Sequence, residues 1–599
     1  MIGKKAASRR AATLPRKLGS NDSAAAARRL ACALALGMWA CSGSDQPAAP
    51  ASGGSPGSGG SNAATGGTNG GTGGSISGFG GTPATSGGAN TTGGSSAPPG
   101  AGGSTPGPSG GAGSPGSAGS AGQATGGTGG AASGGSGPLG GTNSTAGNGA
   151  TSGAGTGGAG TPVSSVCPYT KGTEITGQNA VSGQLQEFND NGGWCWYQDE
   201  RVIVDKEGGK LIIGSVASGG ERDKRVEATH WDLATKTGVR HQLGTMSYTD
   251  DHDVQALVKR PEGGYAAMWA GHNDDCNSYY SVYDGTAWSK SASFAWPQCP
   301  TSSGKRITYA NLWYLGDTLY SYVRSIDTSP HYLFSKDGGK TWELGGRLTS
   351  TPQVGYVAGY YKYWGNNVDR IDFFGTEAHP RDNDNSLYHG YVKDGKIHNS
   401  TGDVVDTDFA DRTAQDVTKY TKVFGTGTTV NGARLEHMWN ADVVRYDDGT
   451  IAAIGTGRVT GSGSDNPDKR LLYFRFDGVK WTTTYLARAG TKLYNDEQDY
   501  TGLGALHPDN PHVIYISTSY DPRTDEGVFT GKKEIWKGVT CDNGATFNWE
   551  PVTANSQMDN LRPVVPKWDA SHTALLWLRG TYTSAQSYSF KVVGLVEEN

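Results

Sequence analysis

Two histidines stand 20 residues apart in polar surroundings, His252 in Asp250-Asp251-His252-Asp253 and His272 in Trp269-Ala270-Gly271-His272-Asn273. Downstream, Tyr309 in Thr308-Tyr309-Ala310-Asn311 is followed 15 residues later by Arg324. Imidazoles and a phenol move protons near neutrality, and a guanidinium fixes an anion. Together they suit one chemistry: removing a proton from a carbon beside a carboxylate, then returning a proton to a departing oxygen. In this scheme Arg324, with a histidine, offsets the carboxylate charge. Tyr309, its pKa lowered by Arg324, takes the proton and hands it to the leaving oxygen. His252 and His272 bind the carboxylate or assist as acid and base. The scheme requires no metal or cofactor, and a structural calcium ion is left open. The acidic pair Asp250-Asp251 reads as a turn cap or a support that orients His252, rather than as a metal site.

The positions of these residues follow from a repeat. Seven apolar runs, at 210–216, 265–271, 318–324, 369–375, 450–456, 512–518 and 573–579, each follow a turn such as Glu207-Gly208-Gly209 or Asp447-Asp448-Gly449. Their starts lie 55, 53, 51, 81, 62 and 61 residues apart. Short apolar runs between Gly, Asp and Asn turns predict strands, and a recurring unit predicts a closed repeat architecture. Several units continue into a third strand, a tight turn and a Trp-led fourth strand, as at Tyr473, Asp477-Gly478 and Trp481. Four antiparallel strands in each of seven units predict an all-β, seven-bladed β-propeller.

Within a hairpin, the residue entering the first strand and the residue leaving the second lie side by side. His252 and His272 hold those places in unit two, and Tyr309 and Arg324 in unit three, so all four are expected on one rim. The same phase nominates ligand contacts at Asn311, His379, Arg381, Tyr388, His389, Arg458 and Arg579, with Asn440, Asp499, Tyr500 and Asn560 beside them. The octapeptide Ser335-Lys336-Asp337-Gly338-Gly339-Lys340-Thr341-Trp342, with a looser copy from Thr540 to Phe547, reads as an Asp-box turn that marks the fold and performs no chemistry.

The N-terminal third reads differently. A basic region ending at Arg28-Arg29, then an 11-residue apolar run, Leu30 to Ala40, suits an export signal and is too short to span a bilayer. Residues 1–41 are read as a lipoprotein-type signal, with Cys41 the lipidation site. Residues 42–166, nearly all Gly, Ser, Thr, Ala and Pro, are read as a disordered linker, because they lack the apolar surface that offsets ordering. Residues 167–599 remain for the propeller. Eight of the 51 Lys/Arg and two of the 56 Asp/Glu precede this part, which leaves 43 basic and 54 acidic residues, a net of −11. That balance argues against a nucleic-acid partner and against docking on an anionic membrane except through a lipid anchor. An exported monomer is expected, secreted or held at the outer membrane or cell surface. Among its cysteines, Cys276 with Cys299 is the expected bridge.

Gly193-Trp194-Cys195-Trp196-Tyr197-Gln198-Asp199, Asp250-Asp251-His252, His379-Pro380-Arg381, Tyr388-His389 and Asn560-Leu561-Arg562-Pro563 resemble the BNR/Asp-box repeat proteins, and among them the seven-bladed propeller lyases that act on ulvan. The resemblance implies an active site of two His, a Tyr and an Arg, at His252, His272, Tyr309 and Arg324. It also implies a polysaccharide lyase that cleaves anionic, uronic-acid-containing glycans by β-elimination. A glycoside hydrolase on the same scaffold and a non-catalytic glycan-binding propeller are the alternatives. A sialidase is disfavoured because no cluster of three Arg with a Tyr–Glu pair is evident.

Overall fold

A computed structural model of the chain describes residues 169–599 apart from 173, 298, 300–306, 351–358 and 464. The signal, Cys41 and the linker lie outside the described residues. Seven antiparallel sheets follow one another along the chain, and each predicted apolar run falls in the second strand of one sheet, except 450–456, which falls in the third of five strands because Thr429–Val430 adds a strand to blade five. In blade one the order is Val202–Asp205, Lys210–Val216, Arg225–Asp232, Thr237–Thr245. The predicted all-β, seven-bladed propeller is the fold observed.

Burial explains the sequence pattern. Second strands pack on both faces against neighbouring blades, so Tyr265–Ala270 and Val513–Thr518 are buried at every position. They therefore read as continuous apolar runs without alternation. Outer strands face solvent, and Thr237–Thr245 is mostly exposed. In the turn after Pro330–Ser335, the Asp337 carboxylate accepts from the backbone of Lys340 and Thr341, and Gly338 and Gly339 adopt φ of 69° and 89°. Asp542 repeats the arrangement with Thr546. The 81-residue interval has a structural cause: blade four carries two extra strands, Val404–Asp406 and Thr421–Phe424, and forms a six-stranded sheet.

One closure was not anticipated from the repeat. The outer strand of blade seven is Gln186–Asn189, from the start of the domain, paired with Ser587–Glu598 through Gln186↔Gly594. The chain then bonds blade one through Gly193↔Val216 and runs as Trp194–Glu200 across the central hole. There Trp194 Nε1 donates to the Arg562 carbonyl in blade seven, and Trp196 Nε1 to the Asn440 carbonyl in blade five. The Lys362 ammonium from blade four pairs with Asp199 at 2.6 Å. This crossing segment is a floor shared by blades on opposite sides of the ring.

Cys276 and Cys299 form the expected disulfide, with Cα atoms 5.8 Å apart. Cys541 is also disulfide-bonded, and Cys195 is a free, buried thiol. Among the described residues no helix is long and apolar enough to cross a membrane.

Candidate active site

Hairpin phase brings the four predicted residues together. The 3₁₀ turn Asp251–Asp253 precedes the first strand of blade two, Ala256–Lys259, and His272 follows its second strand. The two imidazoles stack with centroids 4.2 Å apart and planes 21° apart. In blade three the backbones of Thr308 and Arg324 exchange hydrogen bonds of 2.9 and 3.0 Å, which sets Tyr309 beside Arg324. Tyr309 has φ of 71°, a strained left-handed backbone for a bulky residue and one that concentrates at functional sites. Its ring lies 5.8 Å from that of His252 and 5.0 Å from the Arg324 guanidinium carbon.

Asp250 is the hub. Its Oδ1 accepts from the backbone N–H of His252 at 3.0 Å and from His252 Nδ1 at 2.6 Å, and its Oδ2 accepts from His272 Nδ1 at 3.0 Å. It thus caps the turn and orients His252, as the sequence suggested, and it holds His272 as well. Two acceptor oxygens require Nδ1–H on both imidazoles. Burial works against the Asp250 charge, but the two imidazoles hold its carboxyl well below the usual range. Burial likewise opposes charge on His252, yet the acidic groups Cys195, Asp250, Tyr309 and Asp251 raise its pKa well above the ordinary value. His272 is depressed by burial and by the His252 charge, and about a fifth of its side chain (22%) is exposed. The site therefore pairs a buried imidazolium with a neutral imidazole at the rim.

Asp251 is bound by the Arg562 guanidinium and, at 2.6 Å, by the Tyr582 hydroxyl. Arg562 lies over Trp196 and Tyr582, at 5.1 and 4.9 Å from the rings. Tyr500 approaches His252 Nε2 at 3.5 Å. On the other side Arg324 donates to the Tyr360 hydroxyl at 2.8 Å and to Thr308 Oγ1 at 3.1 Å, and Tyr360 reaches His379 Nε2 at 3.3 Å. A cleft lined by Tyr309, Arg324, Tyr360 and Tyr363 opens beside them.

Several sequence expectations need correction. Tyr309 was expected to have a lowered pKa, but burial and the neighbouring Tyr360 outweigh Arg324 and His252 and raise it well above the free phenol. Its resting form is a proton donor. His389, fully buried, bonds Asp372 at 3.1 Å and Ser400 at 2.9 Å inside blade four, and Tyr388 is buried beside it, because strand 387–393 packs both faces. The Asn311 side chain is buried and holds the Tyr322 carbonyl at 3.1 Å. Arg458 forms a two-point ion pair with Asp499, and the charged neighbour of Arg579 is Glu534. Tyr388, His389 and Arg458 brace the blades, whereas Asn311 also lines the cleft beside Tyr309 and Arg324, and Arg579 is only half-buried. His379 and Arg381 do reach the site: burial and Arg381 push His379 down to about 3, and Arg381 pairs with Glu497 and Asp382.

Sequence reasoning missed Tyr360, Glu497 and Arg562 as site residues. Tyr360 occupies the entry position of unit four, just before Tyr361–Gly365, as Tyr309 does in unit three, so the phase could have found it. Glu497 belongs to an irregular loop and carried no such signal. Donor atoms of Asp250, His252 and His272, and of Cys195, Asp251 and His252, lie within 4.8 Å of one another, as a metal site requires. In the first of these groups the hydrogen bonds just described already engage the Asp250 oxygens and both Nδ1 atoms.

No protein-family model matches the sequence, and no curated protein does. Among solved structures, the chain is similar to an ulvan lyase of family PL25 bound to -[GlcA(1-4)Rha3S]-, at 13% identity and TM-score 0.48, over 68% of this chain and 94% of that one. It is also similar to polysaccharide lyase Uly1, at 12% identity and TM-score 0.43, over 69% and 99%. The α-L-arabinofuranosidase Arb93A of Fusarium graminearum follows at 12% identity and TM-score 0.34, over 58% and 94%.

Proposed function

We propose that the protein is an exported polysaccharide lyase that cleaves uronic-acid-containing glycans by β-elimination. The observation that carries this reading is the stacked His252–His272 pair joined through Asp250 and facing Tyr309 and Arg324. Arg324 and the His252 imidazolium offset the uronate carboxylate, which acidifies the proton at C5. His272, held with Nδ1–H on Asp250, presents Nε2 as the base that accepts this proton. As the C4–O4 bond breaks and the C4=C5 double bond forms, the Tyr309 hydroxyl protonates O4. The next turnover follows once His272 returns its proton to solvent and Tyr309 regains one.

The test is the ultraviolet absorbance of an unsaturated uronide product, measured on ulvan, alginate, polygalacturonate and chondroitin. Absorbance that rises with the parent and not with His272→Ala supports the lyase. No rise on any of the polymers removes it. A glycoside hydrolase is the second reading, favoured by Glu497, a carboxyl that burial pushes up to about 7 beside this site, as a glycosidase acid requires. It would release reducing ends without the absorbance. A lipid anchor at Cys41 belongs to the same proposal and is tested by mass spectrometry of the mature N-terminus.

A further inference from the structure

The mouth of the site carries an ion pair that the elimination chemistry does not use. Arg381, in the loop after the second strand of blade four, directs one terminal nitrogen to Glu497 Oε1, in the loop between blades five and six. These loops are far apart in sequence and meet only at the site. Arg381 also donates from Nε to Asp382 Oδ1 at 3.0 Å and keeps 28% of its side chain exposed. The second Glu497 oxygen, Oε2, is buried without a hydrogen-bond partner. A carboxylate with one oxygen stranded is poorly solvated, so its ionised form depends on the single guanidinium contact.

Resting on the lyase reading, we propose that Glu497 is a specificity-determining latch on Arg381. The anionic group of the glycan displaces the Glu497 carboxylate from the guanidinium, and Glu497 binds a proton from solvent as the glycan binds. The site therefore selects polyanions and couples their binding to pH.

The charges facing Glu497 agree. Burial raises its pKa to about 7, against Arg381 and the His252 imidazolium, which favour the charged form, while Asp499 and Asp382 disfavour it. Tyr494 and Tyr500, from its own loop, complete its surroundings. Arg381 is the cation that does most to keep Glu497 ionised, and drawing it away to a bound anion leaves the carboxylate unsupported, so protonation must accompany binding. If anions bind only the protonated form, apparent affinity scales with the protonated fraction, roughly tenfold lower at pH 8 than at pH 6 for a midpoint near 7.

Titration calorimetry of the full chain at pH 6 and pH 8 tests this, with an ulvan tetrasaccharide and inorganic sulfate as probes and a neutral dextran oligosaccharide as control. The expected result is about tenfold weaker binding of both anions at pH 8, and a heat that varies with buffer ionisation at pH 8, where about 0.9 proton is taken up, and hardly at pH 6, where about 0.1 is. Glu497→Gln, close in shape and checked by thermal melting, should bind equally at both pH values. An unchanged wild-type affinity, a slope that persists in Glu497→Gln, or no binding of either anion overturns the latch. If sulfate shows the slope and the tetrasaccharide does not bind, the latch stands and the lyase reading falls.

Discussion

Replacing Asp250 with Asn tests the site at its hub. The amide keeps the shape of the carboxylate but turns one acceptor into a donor. The backbone N–H of His252, 3.0 Å from Oδ1, pins the amide oxygen on that side. The NH₂ group must then face His272 Nδ1, which can accept only by surrendering its proton. The tautomer flips, Nε2 carries the hydrogen, and His272 is no longer a base at the rim. A wrong-tautomer histidine costs roughly 10⁴ in kcat in a hydrolytic triad, and a loss of about 10³–10⁴ is expected here. The variant also leaves the His252 imidazolium with Asp251 as its remaining carboxylate partner, and breaking a buried pair costs about 3–5 kcal/mol. Unfolding entropy of about 2.1 cal/mol/K per residue, over roughly 430 residues, gives about 0.9 kcal/mol/K, so Tm should fall by only about 3–6 °C. Product absorbance and a thermal melt measure the two effects separately. A folded Asp250→Asn protein retaining more than a tenth of parent activity would refute both the tautomer argument and the base assignment.

Tyr309→Phe keeps the ring packing and removes the proton donor, so kcat should drop by about 10²–10⁴ with little change in Tm; near-parent turnover would exclude Tyr309 as the acid. His272 must be neutral to act, so activity should be present above its depressed pKa and fall away as pH drops through it. A kcat that rises on acidification from pH 6 contradicts that sign. Asp250 and Asp251, both held below the ordinary carboxylate value, contribute stability that is present above the unfolded pKa and lost as pH falls through their folded values. A melting temperature independent of pH in the acid range would show that they contribute little. Replacing both Cys276 and Cys299 by Ser opens a loop with a sequence separation of 23 and should cost about 3 kcal/mol, seen as a Tm lower by roughly 4 °C.

The inner strands were legible because burial on both faces leaves uninterrupted apolar runs: 318–324 was read in the strand's own bounds, and 210–216 likewise. The His252–His272 pair was legible for a related reason. Hairpin phase is a local property, and two residues flanking one hairpin need no knowledge of the rest of the ring. Reading failed where contacts are long-range or depend on depth. His389 and Tyr388 follow the same phase, but sequence cannot tell a rim from the packed face of a six-stranded blade. Arg458 and Asp499 both fall on the predicted rim, but nothing in the sequence tells that they pair with each other across 41 residues. The Tyr309 pKa was misjudged because the adjacent guanidinium is visible in sequence and the enclosing aromatic wall is not.

The order of synthesis gives the crossing segment a temporal meaning. Trp194, Trp196 and Asp199 leave the ribosome early, yet Arg562 is made some 370 residues later, and Gln186–Asn189 finds its partner only when Ser587–Glu598 appears. A chain of this design stays unassembled at its centre until its last strand has emerged. A product stalled before Ser587–Glu598 would lack the pairing that closes its ring.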